Sequence, residues 1–418
     1  MPTSIQISTS VVDLTPAKQV PMGGHSGHRP TRHVEGRLEA NIVALGEGAE
    51  VVVLISLDTL FAGAWVTAAA VSACMERFGI GAERVLVLAS HTHSAPMLDA
   101  SKPLLGLVDP EEVCRWADGV SRAILGVETT RAGAVRAGWG RSDLSVNRRL
   151  PWNLPTVTRL LGKTESKVYL CDNPAGPRDP RIRTCVWLSP DEKPLAAFWS
   201  FACHPVSFPE TDTASPDFVG VVREALRQRL GSELPVIFGP GCMGDVRPRS
   251  LRPWKIPARI AQLAMYGPTP LPFDRTEWGS WAARLAGQVT SIDEAAETRP
   301  IDVWPTASPM VRQAMSTLFD GFCPTAELHG KSIVAPGLGR VIALSCEPVT
   351  AIAGLVAETD DNLVLGYEGD VFGYLPTESM ISEGGYESRG FMSHFGLEGT
   401  FMPGLDNKIA MLGRALNA

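Results

Sequence analysis

The stretch ASHTHSAP, residues 89–96, sets His91 and His93 two positions apart, directly after the apolar run RVLVLA. In an extended chain, residues i and i+2 project to one face. The C-terminal end of a buried strand is also where α/β proteins build their sites. Two imidazoles there could ligate a metal ion, or could serve as ordinary hydrogen-bonding turn residues; the histidines by themselves leave both readings open. Residues of ligand type recur in the same context. His204 ends the apolar run LAAFWSFAC, Glu347 follows VIALSC just before a helical pattern, and Tyr374 lies in the loop beyond NLVLGYEG. Two imidazoles and a carboxylate suit a catalytic zinc that keeps a position for water. Each residue also has a plainer reading: Glu347 as a carboxylate favoured at a helix N-terminus, and Tyr374 as packing. The intervals between them are long and irregular, so spacing alone does not assemble a site.

These residues must be positioned by elements that alternate between strand and helix. IQISTSVVDLT, LEANIVALG and EVVVLISLD read as strands, being rich in β-branched residues and bounded by Gly or Pro. Residues 64–78 read as a helix, RVLVLAS as a buried strand, and DPEEVCRWADGVSRAIL as a helix capped by Asp109 with Pro110 in its first turn. TCVWLS and PLAAFWSFACH form a hairpin pattern, followed by a helix from about Ser215, the short strand PVIFGPGC and the long helix TEWGSWAARLAGQVTSIDEAAE. RVIALSCEPVTAIAGLVAE reads as strand, turn and helix, and NLVLGYEG as a late strand. The pattern predicts an α/β (α+β) fold with a mixed β-sheet core flanked by helices, in one domain over 1–418, with the Pro- and Arg-rich segment 250–275 as an insertion or lid.

The composition excludes several function classes. A net charge of −7 leaves no basic face for nucleic acid or anionic lipid. No apolar run is long enough to span a bilayer, and the N-terminus carries no pattern of a secretory signal. The eight cysteines are scattered with no CxxC pair, which points to reduced thiols and a cytoplasmic location. The partner expected is a small-molecule substrate, with no nucleic acid and no membrane insertion; a homo-oligomer is left open.

Along the chain, a string of motifs resembles the catalytic domain of the neutral, non-lysosomal ceramidases, a family of zinc amidases. VDLTP…PMGG (12–24) resembles the family's Asp-x-Thr-Pro and Met-Gly opening, VVVLISLD (51–58) its second strand and aspartate, and SHTHSAP its Thr-His-Thr-His-Ser-Gly-Pro. SVNRR (145–149) is similar to Asn-Arg-Ser, CHPVSF to His-Pro-x-Ser, and SPDFVG (215–220) to Ser-x-Asp-x-x-Gly. GCMGDVRP (241–248) is similar to Gly-Asp-Val-Ser-Pro, CEPVTAIAG to Gly-Glu-x-Thr-Thr-x-x-Gly, and GYLPTES…GGYES to Tyr-x-x-Thr-x-Glu followed by Tyr-Glu. The resemblance implies one zinc ion per chain held by His91, His204, Glu347 and Tyr374. It also implies His93 beside the metal for proton transfer or substrate contact, Arg148 in the active site, and Tyr386 facing it.

The chain departs from the family at Arg247, which stands where the family has a serine needed for ceramide hydrolysis. The family's C-terminal immunoglobulin-like domain is also not expected here. Both departures point away from a lipid substrate. The expectation is a zinc-dependent hydrolase cleaving an amide of a small, soluble, anionic substrate, with Arg247 gripping the anionic group; the alternatives are a lactone or ester hydrolase, or a catalytically silent metal-binding protein. A pairing of Arg247 with Asp245 or another nearby acid is the plain alternative for that residue. Asp58 and Asp245 are candidates for orienting the histidines, with capping as the alternative. His25, His28 and His33 share a Gly- and Arg-rich loop that could hold a second metal but reads better as solvated or pocket-lining. Cys203, Cys242 and Cys346 read as small apolar filler, and His329 and His394 have no assigned role.

Overall fold

Three mixed sheets close around one shared core, and each ends a strand at the same place. The computed structural model describes residues 4–24, 30–154, 156–160, 162, 167–250 and 260–418. The first sheet contains β1 (Ile5–Asp13), β2 (Glu39–Leu45), β3 (Val52–Leu57), β4 (Val85–Ala89) and β5 (Glu128–Ala132), in the order β4-β3-β2-β1-β5. The second contains β6 (Ala134–Arg141), β7 (Arg181–Leu188), β8 (Pro194–Phe201), β9 (Val236–Pro240) and β10 (Thr298–Pro300), in the order β9-β8-β7-β6-β10. In the third, β11 (Glu327–Ala335), β12 (Gly339–Leu344) and β13 (Leu363–Leu365) are neighbours in that order.

Each sheet contains one parallel pair: β3 with β4, β8 with β9, and β12 with β13. Parallel strands need helical crossovers and are covered on both faces, so their sequences run apolar without alternation. VVLISL of β3 shows this. Val53, Ile55 and Leu57 pack under α1 (Gly63–Phe78) and α2 (Pro110–Leu125), while Val52 and Leu54 face the shared core. That core collects Ile5 and Leu88 from the first sheet, Trp187 and Phe198 from the second, and Ile333 and Val341 from the third. The outer face of the second sheet is covered by α3 (Asp217–Leu230) and α4 (Arg275–Ala295), and that of the third by α5 (Leu405–Asn417).

Local signals fix the helix starts. The Asp109 side chain accepts from the Glu111 N–H at 3.0 Å, and Asp274 accepts from the Glu277 N–H at 2.9 Å. The hairpin pattern around PDEKP is the antiparallel pair β7–β8. Of the segment expected as an insertion, residues 251–259 lie outside the described residues; a short helix, Ile260–Tyr266, occupies part of the rest. Among the described residues no helix is long and apolar enough to cross a membrane.

Buried charges lock the sheets together. Glu39 on β2 takes both Arg227 terminal nitrogens of α3, each at 2.9 Å, and Arg223 reaches Asp58 at 2.6 Å. Between the third and first sheets, Lys331 donates to the Val85 carbonyl at 2.8 Å and to Glu368 at 2.6 Å, and Glu368 bridges Leu88. Burial by itself would raise the Glu368 carboxyl, but Lys331 and His329 overcome it and pull its pKa from 4.5 to about 2. The folded state therefore holds fewer protons than the unfolded chain across this interval. The contribution of Glu368 is complete above about pH 4.5 and is lost as the pH falls towards 2, amounting to roughly 3 kcal/mol. Glu368→Gln should flatten that part of the stability–pH curve, as measured by urea unfolding at stepped pH; an unchanged acid limb would contradict it.

Candidate metal centre

Each sheet delivers one ligand-type side chain just past a strand of its parallel pair. His91 follows β4, His204 follows β8, and Glu347 follows β12. Glu347 also opens a two-residue strand, Glu347–Pro348, whose parallel partner is Tyr374–Leu375, so Glu347 and Tyr374 stand side by side in register. His91, His204, Glu347 and Tyr374 are all buried, whereas His93 is only partly so.

The histidines do meet, though not along an extended strand. His91 sits in the left-handed region at φ 65, a conformation costly for a residue with a Cβ. Its N–H bonds to the Thr59 carbonyl at 2.9 Å, and this turn swings the ring inward. Tyr367, also left-handed at φ 59, packs its ring 4.4 Å from that of His91. Among the described residues, two of the four non-glycine residues with positive φ are thus in contact at this one place.

The ring orientations follow from backbone carbonyls. Nδ1 of His91 lies 2.9 Å from the Leu60 carbonyl, Nδ1 of His93 3.0 Å from that of Gly24, and Nδ1 of His204 2.7 Å from that of Met243. A carbonyl only accepts, so each Nδ1 carries the hydrogen and each Nε2 keeps its lone pair. Those three lone pairs converge, their donor atoms all within 4.8 Å of one another. His91 and His93 bring Nε2 atoms to 3.3 Å, and a Glu347 oxygen lies 3.3 Å from His91 Nε2 and 3.4 Å from His204 Nε2. Burial and then the nearby Arg148 charge push the His204 pKa down to about 3, so its ring is neutral near pH 7. Four acceptors thus face one point, and neutral imidazoles plus a carboxylate are the donor set that suits zinc.

Tyr374 closes one side, with its hydroxyl 3.4 Å from His204 Nε2. Arg148 donates to that hydroxyl at 3.0 Å, which leaves the phenol's own hydrogen to point elsewhere. Burial lifts the phenol pKa well above 10 and Glu347 adds to the lift, against the pull of Arg148, so Tyr374 stays protonated. Arg148 is in turn held by Glu387 at 2.8 Å, whose second oxygen takes Arg149 at 2.9 Å. Tyr386 lies edge-on to Tyr374 at 5.6 Å and lines an open cavity of about 990 Å³.

Several residues fall elsewhere than the sequence suggested. Asp58 pairs with Arg223, and Asp245 accepts from Thr350 and Asn147; the histidine Nδ1 atoms go to backbone carbonyls instead of either acid. The Asp245 carbonyl does accept from the Arg148 N–H at 2.8 Å, so it steadies the arginine strand. Arg247 turns towards Asp172 (3.7 Å) and the Leu271 carbonyl (3.4 Å), with no hydrogen bond to the histidine cluster among the described residues. His25 and His28 lie outside the described residues, while His33 is exposed in a short strand. Cys203, Cys242 and Cys346 are buried, and burial raises all three thiols. His329 pairs with Glu368, and His394 packs near Tyr386.

Three participants were not picked out in the sequence. Tyr367 stood within the GYEG run and Glu387 within the Tyr-Glu motif, each masked by a neighbouring tyrosine of clearer type. Gly24, at φ 105, supplies the carbonyl for His93, and a Cβ there would come within 2.7 Å of that ring.

No family model and no curated protein matches the chain. Solved structures do, among them two ceramidases. The neutral ceramidase from Pseudomonas aeruginosa superposes with a TM-score of 0.74 at 15% identity, over 99% of this chain and 73% of that one. A ceramidase complexed with C2 superposes at 0.70 and 14% identity, over 99% and 74%. The fold is therefore ceramidase-like, as the motifs implied.

Glu387 is the counter-charge for two buried guanidiniums, so Glu387→Gln should destabilise the protein by about 3–5 kcal/mol in chemical unfolding. Tyr374→Phe, which removes one neutral partner of Arg148, should cost about 1 kcal/mol. Equal losses would mean that the carboxylate does not anchor the pair.

Proposed function

We propose that this protein is a zinc-dependent hydrolase cleaving an amide bond of a small, soluble, anionic substrate. The observation that carries the reading is the convergence of three Nε2 lone pairs and a buried carboxylate oxygen, with every Nδ1 committed to a backbone carbonyl. Such a set of acceptors is repulsive without a cation. The ceramidase-like fold supports an amide as the bond attacked, and the chemistry below supports a single cleavage step by water.

His91, His204 and Glu347 would hold the metal, the three being buried and mutually in reach, with Tyr374 bordering the fourth side. When bound, zinc supplies Lewis acidity and brings the pKa of a coordinated water to about 7. His93, the more exposed histidine, keeps Nε2 free of protein hydrogen and can take a proton there and return it to a leaving amine. The Tyr374 hydroxyl, oriented by Arg148, donates its hydrogen to the oxygen on which negative charge develops. Arg148, locked by Glu387, keeps that hydroxyl in place.

For the anionic group we look to Arg247. It is nine-tenths buried, its Nε has no hydrogen-bond partner, and Asp172 reaches it only at 3.7 Å. A guanidinium held so loosely keeps its fork for a carboxylate or phosphate on a substrate. A cytoplasmic setting is supported by the eight free cysteines, none of them in a disulfide.

The test combines metal content with turnover. Purified wild type should contain about one zinc per chain by elemental analysis, and His91→Ala should lose it, in keeping with a three-residue donor set. Zinc-loaded wild type should hydrolyse acyl anilides that bear a carboxylate, and Arg247→Ala should raise KM about tenfold with little change in kcat. Cleavage of esters but not amides would overturn the bond assignment; zinc binding without turnover on either would overturn the hydrolase.

A further inference from the structure

A second buried arginine lies apart from the metal centre with its charge unmatched. Arg183 on β7 is only 9% exposed, and among the described residues it forms no ion pair, whereas its neighbour Arg181 is paired with Asp179 at 2.8 Å. Among the described residues its one hydrogen bond is to a neutral group, the Gly337 carbonyl, and its Nε has no partner. One face of the guanidinium is covered by Trp139, at 4.4 Å from the ring centroid. Burial draws its pKa below 12.5, which marks a charge placed where the protein alone does not repay its desolvation.

The cross-strand register explains the arrangement. Trp139 and Ser200 flank Arg183 directly on β6 and β8, so the three side chains form a row across the second sheet. Further along the same strands the corresponding row is apolar and belongs to the shared core, as Ala137, Cys185 and Phe198 show. The row with Arg183 instead borders a cavity of about 500 Å³ whose lining is largely polar, with Thr359 and Asn362 among it, and includes the apolar Ala353, Ala357 and Val364. Arg181 is already neutralised, and Glu358 and Asp360 stand exposed at the rim.

We propose that this cavity binds a small monocarboxylate, with the Arg183 fork gripping the carboxylate and the alanine and valine wall receiving a short apolar body. The rim acids select against ligands of higher negative charge, such as phosphate, by like-charge repulsion. The cavity backs onto the metal centre: Cys242 lines it, and the next residue, Met243, gives His204 its carbonyl. The site does not depend on the metal or on the hydrolytic reading.

Benzoate and inorganic phosphate are suitable probes, titrated calorimetrically at fixed ionic strength into the metal-loaded wild type, His91→Ala and Arg183→Met. Benzoate should bind one per chain in wild type and in His91→Ala, at least tenfold more weakly in Arg183→Met, and more tightly than phosphate throughout. If Arg183→Met does not fold, Arg183→Lys replaces it, and the loss of the fork should still weaken benzoate severalfold. The proposal is overturned by an absence of saturable benzoate binding in wild type, by binding that disappears in His91→Ala and persists in the Arg183 variant, or by phosphate binding the tighter of the two.

Discussion

Three imidazole lone pairs within 4.8 Å of one another, with a carboxylate oxygen 3.3–3.4 Å from two of them, form an arrangement that a folded chain must hold against its own electrostatics. The holding is done by backbone. The Leu60, Gly24 and Met243 carbonyls take the Nδ1 hydrogens, Leu60 and Met243 lying just past β3 and β9, and Gly24 held by its own N–H bond to the Leu105 carbonyl. Choice of tautomer, ring direction and distance thus come from the same three bonds. The strain at His91 and Tyr367 has the same origin, because regular strand geometry would carry both side chains past the point where the others meet.

Why three sheets are needed follows from that constraint. A single strand end offers one or two inward side chains. Gathering His91, His204 and Glu347 requires strand ends from separate sheets to converge, and each sheet reserves a parallel pair for that end. The shared apolar core sets the relative positions of the sheets, and buried ion pairs such as Lys331–Glu368 fix their edges. Charge continues outward from the site in an ordered chain, from Tyr374 through Arg148 to Glu387 and Arg149.

Much of this was legible from residue types. Apolar runs ending in His or Glu located β4, β8 and β12, because a strand buried on both faces has nowhere to put a polar residue until it leaves the sheet. The cap at Asp109 was readable because a side-chain oxygen at a helix start answers a local need, whereas the cap at Asp274 went unread. The route by which His91 and His93 meet was not, since a left-handed residue without glycine leaves no compositional mark. Nor was the use of carbonyls in place of Asp58 and Asp245 to orient the rings: every residue has a carbonyl, so its role is set by folding alone. Strands such as β5 and β6, with charged and small residues, lacked the apolar signature that marked the others.

The buried arginines divide by how fully their charge is answered. Arg148, Arg223 and Arg227 each meet a carboxylate within hydrogen-bonding distance, and the first two have their pKa raised in spite of burial. Arg183 and Arg247 are buried nearly as deeply, yet burial lowers both, Arg183 forms no ion pair among the described residues, and the acid nearest to Arg247 stands off at 3.7 Å. A fold that needed these two positions only for packing could fill them with apolar side chains at lower cost. Guanidiniums that are desolvated by the protein but left without a close carboxylate of its own are poised for one that arrives with a ligand. The contrast therefore separates the arginines that build the structure from those that the structure holds ready.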